Sequence, residues 1–371
     1  MATISGTSSS QPQSIAIHTI YDSRAPTYDD ATTFHKSLAH EYVEYAKPVE
    51  GEKLLDLACG TGLVGFEWMN GISCDEHVSS QSEVLNYSTD AINSHAPLSQ
   101  IHGIDISSGM LSIARSKIPS LPKHNHSRGI PLPPLDPRET NILFEHHDIT
   151  SLSTLPSLSD AKGRFDIITI CSALMLLSSP LENMRSWIPY LKPTSPTPPG
   201  GRLILDIPHP SSMLGLSIFY KLSLEFGISI LGSREWIGNS GIVAVENLGR
   251  LMKEAGLVDV KAFETRIFHD IPAATPVANK IGEIIDKGEE NEYREWPATN
   301  EAGKKIFDIM TQWKSLENWR EGTEDEKKRK RERWGEEWVK LGVMDENEGR
   351  EMGELVVREE GRLIIGVGFR G

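Results

Sequence analysis

At 371 residues, 38% hydrophobic and 24% charged, the chain has an ordinary globular composition, long enough for one large domain or a domain with a cap. A formal net charge of -14 disfavours a nucleic-acid backbone or an anionic membrane surface as the main partner. Its three cysteines cannot all pair, and Cys59 and Cys171 end apolar runs where burial is expected, which fits a reducing, cytoplasmic compartment.

Residues 1–14 are rich in Ser, Thr and Gln and lack the basic start and apolar centre of a signal peptide, so residues 1–20 are expected to form a flexible tail. The run 53–57 suits a buried strand, Gly60 and Gly62 permit a tight turn with close backbone approach, and 63–69 suits a helix. Such a turn presents amide N–H groups to a ligand and points to a nucleotide-like cofactor. A polar, Ser- and Asn-rich insertion, 70–100, precedes a short strand at 101–106 and a helix at 107–117 that places Met110, Leu111 and Ala114 on one side. Six prolines between 119 and 137 disfavour regular structure.

Strands are predicted at 142–147, 166–171 and 202–207, with a helix at 181–191. The apolar stretch 213–231 is broken by Lys221 and Glu225, so a buried or capping helix is expected there rather than a membrane span. A helix at 245–255 is closed by Gly256, and a strand follows at 258–265. Strands alternating with helices imply an α/β fold with a doubly wound, mainly parallel sheet. The Trp-, Glu-, Lys- and Arg-rich region 271–353 is expected to be a helical insertion or cap, and 354–371 the last core strand. The basic run 327–333 is flanked by acids and suits a solvated helix face. The division is then a tail, lid helices at 21–50, a core at 51–270 with a substrate wall at 211–240, the insertion, and the final strand.

Several motifs stand in order along this frame: Leu55-Asp56-Leu57-Ala58-Cys59-Gly60-Thr61-Gly62, Gly103-Ile104-Asp105-Ile106-Ser107, His147-Asp148-Ile149, Phe165-Asp166-Ile167-Ile168, and Leu191-Lys192-Pro193 with Gly200-Gly201-Arg202-Leu203. Together they resemble the class I S-adenosylmethionine-dependent methyltransferases, in particular the small-molecule branch of ubiquinone and menaquinone biosynthesis and fungal metabolite enzymes. Gly60, Gly62 and Gly65 also satisfy the dehydrogenase spacing GxGxxG. Asp56 separates the two readings, since a carboxylate inside the motif repels pyrophosphate but tolerates the ammonium of a methionyl group.

The resemblance implies a seven-stranded sheet and S-adenosyl-L-methionine as cofactor. It assigns Asp56, Ala58, Gly60 and Gly62 to the methionyl part and Asp105 to the ribose diol. Asp148 falls to the adenine amino group and Ile106 and Ile149 to the ring faces, with Met110 and Cys171 beside them. Helix capping is the structural alternative for Asp105 and Asp148. Tyr21-Asp22 and Tyr28-Asp29 resemble the family's N-terminal lid, so Tyr21 and Tyr28 either close over the cofactor or pack a helix on the sheet.

Methyl transfer from a sulfonium asks mainly for alignment in a dry pocket, and a base only for protonated nucleophiles. Candidate residues lie past the strand ends: Met175, Asp206, His209, His269 and Asp270, with Met213 and Phe219 in the apolar wall. His209 is the first choice for a base because histidine titrates near neutrality; a loop histidine bonded to backbone is the alternative. The wall also suits a dimer surface or plain core. Trp296, Trp313 and Trp319 either cap the pocket or pack. No metal-ligand spacing joins the histidines to cysteines. The expected function is methyl transfer to a small, largely apolar acceptor through oxygen, nitrogen or carbon. The alternatives are a protein methyltransferase with an acidic groove, or a cofactor-binding protein without transfer activity.

Overall fold

The computed structural model describes residues 13–31, 34–49, 51–69, 100–118, 123–124, 131–132, 142–194, 200–230, 240–266, 294–312, 314–344, 355–359 and 361–371. Helices α1 (Gln13–Arg24), α2 (Tyr28–Ala31) and α3 (Phe34–Ala46) precede strand β1 (Lys53–Leu57) and α4 (Leu63–Met69). Strand β2 (Gln100–Asp105), α5 (Ser108–Lys117), a two-residue ladder of β3 (Lys123–His124) with β4 (Pro131–Leu132), and β5 (Ile142–His146) follow. Next come β6 (Ile167–Ile170), α6 (Pro180–Trp187), β7 (Arg202–Pro208), α7 (Leu214–Phe226), α8 (Gly241–Glu254) and β8 (Leu257–Glu264). The last part holds β9 (Arg294–Pro297), α9 (Asn300–Met310), α10 (Glu324–Lys340), β10 (Val343–Met344), β11 (Leu355–Glu359) and β12 (Leu363–Arg370).

Seven strands form one sheet in the order β5-β2-β1-β6-β7-β12-β8. The first five run parallel, and β12 inserts antiparallel between β7 and β8. This is the mostly parallel, doubly wound α/β fold expected. Strands β6 and β7 are buried along their whole length and β1 along nearly all of it, which explains their near-continuous apolar runs. One face carries Leu54, Ile101, Ile167, Ile204 and Ile365 under α3 and α4. The other carries Leu55, Leu57, Ile168, Ile170, Leu203, Leu205 and Ile207 under α6 and α8. A buried Arg202, held by Glu52 in two parallel bonds of 2.8 Å and by the Ala46 carbonyl at 2.6 Å, ties the end of α3 to the start of β7.

Several expectations are corrected. Helix α1 begins at Gln13, inside the expected tail, because Asp22 fastens it to the core. The helix expected at 181–191 ends at Trp187 and tightens into a 3-10 turn, Ile188–Tyr190, where Pro189 has no N–H to continue it. The insertion is not purely helical: β10, β11 and β9 form a small antiparallel sheet, and Leu355–Glu359 pairs there, so the last core strand is Leu363–Arg370. Its helices and α7 enclose an aromatic core of Phe219, Trp296, Phe307, Trp319, Trp334 and Trp338. No described helix is long and apolar enough to cross a membrane. The insertion 70–99 and Cys74, Trp313, His269 and Asp270 lie outside the described residues.

Candidate functional site

The site is built at the carboxyl edge of the sheet, on the face covered by α3. Asp56 of β1 stands opposite Gly103 of β2 and Thr169 of β6, and Thr169 opposite Ile204 of β7. Two residues further on, the pleat returns to the same face, so Asp105, Ala58, Cys171 and Asp206 follow one another across four adjacent strands. Three strand spacings separate Asp105 from Asp206, roughly 14 Å.

At one end the glycine turn meets β2. Ala58, Gly60 and Gly62 all have left-handed backbone, at φ 55°, 55° and 82°. For Ala58 this geometry costs about 1 kcal/mol or more relative to a right-handed residue. Gly62 is required twice over, since a Cβ there would lie 2.6 Å from the Phe66 ring. A Cβ on Gly60 would meet nothing within 4 Å, so the turn opens onto space at that point. The Gly60 N–H donates to Asp105 Oδ2 at 2.8 Å and the Ser107 N–H to Asp105 Oδ1 at 2.7 Å. Each oxygen retains a second lone pair suited to a hydroxyl donor. Burial pushes the Asp105 carboxyl above the usual range, against these two bonds.

Asp56 is 1% exposed, and its Oδ2 has no hydrogen-bond partner among the described residues. Its Oδ1 accepts the Thr169 hydroxyl at 2.7 Å. Burial, reinforced by the charge of Asp105, raises its pKa to about 7 against the Thr169 hydroxyl and the backbone N–H of Gly65, which approaches the carboxyl from the start of α4. Leaving a buried carboxylate oxygen unpaired is costly, and a ligand cation would remove the cost.

The N-terminal helices reach this edge through their acids. Asp22 accepts from the Ser107 hydroxyl at 2.5 Å and the Gly109 N–H at 2.9 Å, at the start of α5. Asp29 accepts from the Thr61 hydroxyl at 2.5 Å and pairs with Lys117 at 2.5 Å. Tyr21 and Tyr28 are half-buried with ring centroids 6.3 Å apart and Arg24 over both, and Tyr28 stacks on His35. Burial raises the pKa of each phenol, and the charge of Asp105 acts on both. The acids of the two Tyr-Asp pairs were the stronger signal, because they hold the segment to the glycine turn and α5.

Among the remaining candidates, Met110 is buried in α5 and Ile106 is half-buried, its carbonyl accepting from His146 at 2.8 Å. Asp148 caps the turn Ile149–Thr154, its Oδ1 accepting the Thr150 N–H at 2.9 Å and the Thr150 hydroxyl at 2.7 Å, which is the structural alternative named for it. Ile149 is buried in the core. Cys171 is half-buried, and its thiol is pushed up by burial and by the neighbouring Asp206 and Asp56. Met175 and Met213 are half-buried just beyond β6 and β7.

His209 and Phe219 do not join the row. Alternation along β7 sends Asp206 to the α3 face and His209 toward α8, where a Cβ on Gly241 would lie 2.3 Å from its Nε2. The His209 Nδ1 accepts the Ser211 N–H at 3.1 Å and Nε2 lies 3.5 Å from Glu264, so it is a loop histidine bonded to its surroundings. Phe219 is 0% exposed, packed among Phe307, Trp319 and Trp334; it is core, not wall. Trp319 is likewise packing.

No family model and no curated protein matches the chain. Several solved structures resemble it weakly. The phosphoethanolamine N-methyltransferase 2 of Haemonchus contortus, in complex with phosphomonomethylethanolamine and S-adenosylhomocysteine, is 11% identical with a TM-score of 0.45, over 97% of this chain and 60% of that one. A methyltransferase from Thermotoga maritima, dependent on S-adenosylmethionine, is 12% identical with a TM-score of 0.38, over 96% and 100%. The cyclase SpnF is 14% identical with a TM-score of 0.40, over 97% of each chain. The activities named belong to those proteins.

Proposed function

We propose that this chain is an S-adenosylmethionine-dependent methyltransferase acting on a small, largely apolar acceptor. The observation that carries the reading is the pair of buried carboxylates at the glycine turn, Asp105 on the edge row and Asp56 one row inward with Oδ2 unbonded among the described residues. The chain's acceptors suit the cofactor part by part: Asp56 Oδ2 is open to a cation, Asp105 has a lone pair on each oxygen for a vicinal diol, and the space at Gly60 admits a ligand beside the turn. Bound there, S-adenosylmethionine supplies a methyl group on a sulfonium, a leaving group that needs no acid. Asp56 would bind the ammonium, Asp105 would orient the ribose, and Tyr21 and Tyr28 would exclude water. Met175 and Met213 offer adaptable apolar contacts on the acceptor side.

Calorimetry with S-adenosylmethionine and S-adenosylhomocysteine tests the cofactor, with micromolar binding expected. Methyl-labelled cofactor incubated with extract of the source cells tests the acceptor, with label expected in the organic-soluble fraction. Label in protein would replace the small acceptor by a polypeptide. Binding without transfer would reject the enzyme, and absence of binding would reject the reading altogether.

A further inference from the structure

Asp206 stands at the far end of the row from Asp105, 2% exposed. Its Oδ1 accepts the Ser172 N–H at 2.7 Å and is hydrogen-bonded to the hydroxyl of Tyr42 from α3. The same hydroxyl oxygen lies 2.6 Å from the Ile170 carbonyl oxygen. Three oxygens are thus joined by two hydrogen-bonding distances, yet a phenol has one proton. When Asp206 is ionised, the Tyr42 proton serves either Asp206 or Ile170, not both. When Asp206 is protonated, it donates to Tyr42, Tyr42 donates to Ile170, and both contacts are satisfied. Asp206 thus keeps a hydrogen bond to Tyr42 in either protonation state. Burial pushes the Asp206 carboxyl up to about 6, against the bonds from Tyr42 and Ser172, so both states are reached near neutrality. The titratable groups acting with it are Tyr42 from α3 and Cys171 beyond β6; Asp56 of β1, on the neighbouring row, acts on both of these, and Tyr28 joins through Cys171. All are acids whose neutral form burial favours, and no described lysine, arginine or histidine forms a salt bridge to Asp206.

Resting on the reading proposed above, we infer that Asp206, positioned by Tyr42, takes the proton of the methyl acceptor, and hence that the acceptor reacts through an O–H or N–H group. Such an acceptor gains one positive charge with the methyl group and sheds it as a proton. The Asp206 carboxylate receives that proton, its charge passing from minus one to zero, and returns it to water as the product leaves. His209 is excluded by its position on the opposite face.

Infrared titration of the ligand-free protein reads Asp206 without any turnover. A protonated-carboxyl band should vanish with a midpoint near pH 6, be absent in Asp206→Asn, and move to higher pH in Tyr42→Phe, which removes a bond to the charged form. The transfer assay, run with methyl-labelled S-adenosylmethionine and the organic extract, should lose about 100-fold or more in rate in Asp206→Asn. Its wild-type fall below pH 6 should disappear, while calorimetric affinity for S-adenosylmethionine stays within threefold. A wild-type rate profile flat between pH 5 and 8, an Asp206→Asn rate within threefold of wild type, or label fixed on carbon would overturn the inference. Wild-type protein that titrates as stated but binds no cofactor would overturn the methyltransferase reading instead. If Asp206→Asn does not fold, the Tyr42→Phe shift in both the infrared midpoint and the rate profile decides.

Discussion

At the scale of single residues, buried carboxylates set the behaviour of the site. Asp56 carries a pKa of about 7, so between the unfolded value near 4 and that point the folded chain holds a proton that the unfolded chain releases. Stability contributed by this group therefore falls as pH rises through that window and stays low above it. Asp56→Asn should be more stable than wild type at pH 8, by on the order of a few kcal/mol, and melt higher there, but melt about equally at pH 4, while losing cofactor affinity. Thermal melts of the ligand-free protein at both pH values check this; equal melting at pH 8 would mean the carboxylate already has a cation. The motif that marks Asp56 and Asp105 was legible in the sequence because its glycines answer to backbone geometry. The choice between Asp206 and His209 was not. Strand β7 is buried on both faces, and an apolar run of that kind carries no signal of which side chain meets which layer.

At the scale of elements, α1 is the instructive case. Its sequence has little apolar periodicity, and what orders it is Asp22 at the N-terminus of α5, where Ser107 and Gly109 donate to it. Burial opposes ionisation of Asp22, yet those bonds win and its pKa is lowered. Asp22→Ala should free α1 at a cost of about 1 kcal/mol, seen as faster amide exchange over residues 13–31 with little change in the sheet. Exchange unchanged in that segment would show that packing alone holds the helix. Ser240 and Thr299 illustrate the opposite, local kind of signal, since each caps the helix that follows it. Strands β9 and β10, and the pairing of β11 with them rather than with the core sheet, leave no pattern in sequence because two to five residues pair across long separations.

At the scale of the whole molecule, the aromatic unit is joined to α7, the helix that leaves the edge of β7. Glu337 of α10 is 3% exposed and bound by Lys221 of α7, by Lys340 at 2.7 Å and by Arg333 at 3.0 Å. Burial works against its charge, but the three cations bring its pKa down to about 2. That stability is fully present above the unfolded value near 4.5 and is lost as pH falls through 2. Glu337→Gln should cost about 2 kcal/mol at pH 7, a figure reduced because Lys221 and Lys340 are largely solvated, and distinctly less at pH 3. Urea titration at pH 7 and pH 3 measures it, and a pH-independent loss would assign the effect to packing.

The order of strands and helices, the glycine turn and the acid after β2 were determined by the sequence alone, because continuous apolar runs, left-handed backbone and alternating periods are local consequences of residue type. The tertiary structure decided what depends on register and on the partner across a face: the row from Asp105 to Asp206, the sharing of one phenolic proton between Asp206 and Ile170, and the placement of His209 and Phe219 away from that row. Each of these turns on which of two buried faces a side chain enters, and burial on both faces erases that distinction from the sequence.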